Sequence, residues 1–169
     1  MDYKKGDYIR YASNGVCLID DIKSIDINRS KNPKSFYVLK PISASSSTIY
    51  VPLDNNELVS KMRYILSKTE IDSLINSVKN DKIDWISDRK ERNNSFKQII
   101  KDSDPRELLK LVSCIYLKKQ ELSADGKKLS STDEGHLLQA EALIENEFAF
   151  VLKLDGLGVG NYIRAMLGI

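Results

Sequence analysis

The apolar residues of this chain change their spacing near residue 55, and that switch constrains the architecture more than any motif does. From residue 3 to 53 the segments YKKGDYIRY, GVCLIDDI, KSFYVLKPI and TIYVPL are short and rich in Tyr, Ile and Val. Turn signals separate them: Asn14-Gly15, Asn32-Pro33 and the serine-rich SASSS of 43–47. Short β-prone runs at this spacing point to a small barrel. Alternation along TIYVPL puts Ile49, Val51 and Leu53 on the core face, with Thr48 and Tyr50 outward.

Beyond residue 55 the period is helical. Ser67 with Glu70 forms a capping box ahead of EIDSLINSVK, giving a helix over 68–79. Asp104-Pro105-Arg106-Glu107 supplies a cap, a first-turn proline and an acid before LLKLVSCIYLKKQEL. Ser131 with Glu134 repeats the signature before a helix whose Leu137, Leu138, Ala140, Leu143, Ile144, Phe148, Val151 and Leu152 form a broad apolar stripe. DGLGVG reads as the C-cap of that helix, with a last short helix, NYIRAML, after it. The fold class expected is α+β, a small β-barrel followed by an all-helical domain. The boundary falls within 54–67, and the domains are taken as 1–60 and 61–169.

Catalytic and metal sites need His, Cys or clustered carboxylates at ligand spacing. The single histidine, His136, stands alone on a helix, and DGLGVGN lacks the preceding strand and following Lys-Ser/Thr of a phosphate loop. Asp20-Asp21 and Glu145/Glu147 read as solvated faces. Cys17 and Cys114 lie in apolar contexts far apart and read as buried thiols. No enzyme, metal or cofactor is expected. With no membrane-length apolar run and no apolar signal core, the chain reads as cytoplasmic.

The only tryptophan, Trp85, stands in DWISDRKERNNSFK. Residues 76–101 carry seven basic and four acidic side chains, the densest positive excess in the chain. A large apolar side chain among charges suits a partner surface; alternatively, Ile83, Trp85 and Ile86 fasten the preceding helix to the bundle.

With these features in hand, the sequence resembles the CarD/CdnL family of bacterial RNA polymerase-binding transcription regulators. The matching residues are YKKGDYIRYASNGVCLIDDI, YVLKP, TIYVP, Trp85 with its basic tail, DPRELLKLV, LKKQELS and AEALIENEFAFVL, in order along nearly the whole chain. The opening K-x-G-D-x-x-x-Y-x-x-x-G-V is shared with the polymerase-interacting domain of the transcription-repair coupling factor, a large helicase; this chain carries no helicase motif.

The resemblance implies a Tudor-like N-terminal barrel that docks on the RNA polymerase β subunit and a helical domain that touches promoter DNA. Members stabilise the open promoter complex, their tryptophan wedging into the minor groove at the upstream edge of the bubble, and Trp85 occupies the matching position. An apolar wedge fills the gap left by unstacked base pairs. Arg89, Lys90, Arg92 and Lys97 are the candidate phosphate contacts, giving affinity without sequence reading. Asp84 and Asp88 oppose them, so DNA binding alone is expected to be weak, with polymerase docking supplying effective concentration. Some relatives carry a basic residue before the Val-Pro of the late strand. Here it is Tyr50, which with Thr48 is the candidate polymerase contact or, in the other reading, a cover for the barrel. Barrel edges and GNYIRAMLGI are both candidate dimer contacts.

Overall fold

The computed structural model describes residues 2–26 and 32–169. The chain divides into two compact units, Met1–Ile65 and Leu66–Ile169. The first therefore runs past the boundary expected at 60.

The first unit is built on a five-stranded antiparallel sheet: β1 (Tyr8–Tyr11), β2 (Val16–Ile25), β3 (Lys34–Pro41), β4 (Ile49–Pro52) and β5 (Met62–Tyr64), in the order β4-β3-β2-β1-β5. The sheet is open, with β4 and β5 as its edges, so hydrogen bonding does not close the expected barrel. Gly15 makes the β1–β2 connection at φ 74°, a left-handed value that favours glycine. A short helix, α1 (Asn56–Val59), precedes β5. Tyr3, Ile9, Tyr11, Cys17, Ile19, Tyr37, Leu39, Val51 and Met62 form the core. Of the β4 set expected inside, Val51 is buried and Ile49 half-buried, whereas Leu53 lies just past the strand and is exposed.

The β2–β3 register shifts between Ile19 and Asp21: Ile19 faces Leu39 and Asp21 faces Val38, leaving Asp20 as a bulge. Both aspartates meet lysines, Asp20 with Lys40 at 3.0 Å and Asp21 with Lys5 at 3.7 Å. Past the bulge Ile22 pairs with Tyr37, a core residue.

The second unit is helical: α2 (Lys68–Ser77), α3 (Arg89–Asp102), α4 (Pro105–Ala124), α5 (Ser131–Leu152) and α6 (Gly156–Leu167). Ser67 and Glu70 form the expected reciprocal capping box, and Asp104 caps α4 ahead of Pro105. The α5 cap is Ser130, one residue before the expected Ser131, because its hydroxyl accepts from the Asp133 amide. The glycines of 156–160 also depart from expectation. Lys153, at φ 56°, ends α5, and Asp155 caps a helix that begins at Gly156. A Cβ on Gly156 would come within 2.8 Å of Glu145 Oε2.

Ile71, Ile75, Phe96, Leu108, Leu111, Ile115, Leu137, Ile144, Phe148 and Val159 anchor the core of this unit. Leu138, expected on the stripe, is exposed. Tyr162 and Lys68 both bond Asp72, tying α6 to α2. No helix among the described residues is long and apolar enough to cross a membrane.

Candidate functional site

Two surfaces carry the residues singled out from the sequence, one in each unit. In the first, Tyr50 sits on edge strand β4 opposite Val38, which in turn faces Asp21. The residue is 50% exposed, and its ring meets Phe36 edge-on at 6.3 Å, a diagonal cross-strand contact. Thr48 is exposed just before the strand.

In the second unit Trp85 lies in the segment between α2 and α3, where residues 81–87 form neither helix nor strand. The ring is half-buried. It packs on the helical core and meets Phe96 near-perpendicularly at 6.0 Å. The Arg92 guanidinium lies 4.5 Å from the ring centroid and Lys118 Nζ 5.7 Å, within cation–π range. Packing and partial exposure thus coexist at this residue.

Arg89 and Lys90 open α3 and Lys97 lies two turns on; all three are exposed. Lys90, Asn94, Lys97 and Lys101 follow helical spacing along one face, and each is exposed. Lys101 and Lys118 were not picked out from the sequence; the spacing from Lys90 to Lys101 was the available signal for the first. Asp88, read as a charge opposing DNA, is the N-cap of α3, its carboxylate accepting from the Glu91 amide at 2.8 Å.

Arg92 does not belong to this exposed set. It is 7% exposed, and its Nε and Nη2 donate to the two Asp133 oxygens at 3.0 Å each. Nη1 donates to the carbonyls of Ile86 (2.8 Å) and Ser87 (3.2 Å). A guanidinium occupied on both edges and buried is withdrawn from phosphate contact, and this corrects its assignment. Asp133, 4% exposed, also accepts the Ser130 hydroxyl at 2.6 Å. Burial pushes its carboxyl up, but bonds from Arg92 and Ser130 outweigh that and hold it below the usual carboxylate range.

His136 adjoins this network. It is 5% exposed, with Nε2 2.8 Å from Asn93 Oδ1 and its ring edge-on to Phe96. Burial lowers its pKa despite the opposing charge of Asp133. Among the described residues no group of three or more His, Cys, Asp or Glu is placed to hold a metal ion. Cys17 and Cys114 are buried free thiols, and burial pushes Cys17 up to about 11.

The first unit thus presents a sheet edge with an outward aromatic, a surface suited to protein contact. Residues 3–63, nearly the whole of that unit, match the model of the CarD-like/TRCF RID domain. CarD-like/TRCF RID domains interact with RNA polymerase, and the match suggests a transcription-related protein-interaction role for this unit. No curated protein matched the chain.

Proposed function

We propose that this protein is a non-enzymatic CarD-like transcription regulator that binds the RNA polymerase β subunit through its first unit and stabilises the open promoter complex through Trp85. The observation that carries the reading is the RID match over residues 3–63. Tyr50 and Thr48, exposed at the β4 edge, are the proposed polymerase contacts. The Tudor-like architecture implied by the resemblance belongs to the same proposal.

For the DNA contact, the half-open indole supplies the wedge, and Arg89, Lys90 and Lys97 supply phosphate neutralisation in the minor groove beside the upstream fork. Arg92 is removed from that set by its burial. The few exposed cations favour weak, sequence-independent binding that depends on the polymerase tether.

The test is open-complex lifetime on a promoter with cognate polymerase, comparing no factor, wild type and Trp85→Ala. The expected result is a longer lifetime with wild type, lost in a variant that still binds polymerase. Equal lifetimes for wild type and variant, or loss of polymerase binding by the variant, would overturn the division of labour. One observation favours a second reading, a protein-interaction module without DNA contact: the packing of Trp85 on Phe96 and the helical core. On that reading Trp85→Ala changes stability alone.

A further inference from the structure

The segment carrying Trp85 has little backbone scaffolding of its own. Among the described residues, positions 82–87 make no backbone-to-backbone hydrogen bond. Ile83 and Trp85 pack on the core, an apolar contact that is non-directional. One side chain supplies the missing polar restraint. Arg92 takes the carbonyls of Ile86 and Ser87, the two residues after Trp85, with one nitrogen. It presents its other edge to Asp133 and places its Cζ 4.5 Å from the indole centroid.

We propose that Arg92 is the positioning residue of Trp85: it aims the indole from inside the protein and leaves phosphate contact to its exposed neighbours. This rests on the functional reading above. The guanidinium suits the task because it is a rigid planar fork, able to bond along two edges while a ring lies near it. A lysine ammonium is a point charge on a flexible stem and cannot hold all three partners in one geometry. The anchor is itself fixed: Asp133 stands in the first turn of α5 and is held by the hydroxyl of Ser130, the cap of that helix. The ring is therefore referred to two helices, α3 through Arg92 and α5 through Asp133.

A buried ion pair replaced on both sides by apolar groups of similar volume is often neutral for stability, whereas removing one partner strands the other charge. That difference separates positioning from simple support of the fold. The variant to make is Arg92→Met with Asp133→Leu in the full chain, with Arg92→Lys read in the same way and deciding the matter if the double variant does not fold. Four readouts apply: thermal melting, acrylamide quenching of the single tryptophan, polymerase binding and open-complex lifetime.

The expected result is a folded protein that binds polymerase normally, with Trp85 more accessible to quencher and the gain in lifetime lost. Wild-type quenching in a folded variant would overturn the proposal. So would a wild-type lifetime where Trp85→Ala shortens it. If Trp85→Ala itself leaves the lifetime unchanged, the wedge reading fails, and quenching alone then decides whether Arg92 positions the ring.

Discussion

Replacing Trp85 with alanine removes a ring that is half-buried against the helical core. A tryptophan used in packing removes on the order of 150–250 Å² from water, so at least about 100 Å² is at stake for a partly buried ring. At about 25 cal/mol per Å² that burial contributes about 2.5 kcal/mol. The edge contact with Phe96 and the nearby Arg92 guanidinium add about 1 kcal/mol between them. Residual compactness of the unfolded chain takes back part of the sum, leaving an expected loss of about 2–3 kcal/mol. In a helical unit of this size that lowers the melting temperature by about 10 °C or more. The assay is urea and thermal unfolding followed by far-UV circular dichroism, since the variant has no tryptophan emission. Trp85→Phe should recover more than half of the loss. A cost for Trp85→Ala below about 0.5 kcal/mol, the range of an ordinary surface change, would refute the packing described for the ring.

Tyr50→Ala and Thr48→Ala should weaken binding to the isolated polymerase β subunit in a titration, while changing stability by no more than about 0.5 kcal/mol for the exposed threonine. Substituting Lys90, Lys97 and Lys101 with glutamine should leave melting unchanged and make the salt dependence of the DNA contact shallower, by about one counterion for each lysine that meets a phosphate. His136 is buried with its pKa held below 6.5, so its contribution to stability is fully present above 6.5 and is lost as pH falls below 6.5 and through the lower folded-state pKa. Glu141 acts in the opposite sense over the neighbouring acid range, since burial and then Glu145 raise its pKa and stability falls as it ionises. The difference between wild type and His136→Gln isolates the histidine: melting of the variant should depend less on pH between about 5 and 7.

The features legible in the sequence were those whose causes are local. The Ser67–Glu70 box and the Asp104-Pro105 start announce helices because every participating group lies within four residues. The start of α3 carried the same kind of sign in Asp88 followed by Glu91, obscured by the reading of Asp88 as a charge opposing DNA. β5 is three residues long, and its strand character comes from pairing with β1 more than fifty residues earlier. Two adjacent serines made the α5 cap ambiguous by one position, and the glycines after α5 suited a helix end equally well.

At the candidate site the tryptophan and the exposed cations could be read directly. Arg92 could not be separated from Arg89 and Lys90, because what buries it is Asp133 on another helix, forty-one positions away. Composition gives each cation the same charge, and only the tertiary partner divides those that face solvent from the one turned inward.

The bulge at Asp20 has a consequence for how the sheet tolerates change in chain length. Up to Ile19 the odd-numbered residues of β2 stand opposite the odd-numbered residues of β3, and beyond the bulge the even-numbered ones do, although Ile22, opposite the core residue Tyr37, is itself exposed. The Asp20-Asp21 doublet works as a phase shifter between two otherwise regular ladders. What it contributes is a count of residues, with the carboxylates adding surface pairs to lysines and, from Asp21, an acceptor for the Ile22 amide. Many amino acids would keep that count. A deletion at the doublet would leave a regular ladder with the other β2–β3 pairs in place, whereas a deletion elsewhere in the strand would slip the pairing by one and exchange the faces of the residues beyond it, so the strand best tolerates losing a residue where the bulge holds one in excess.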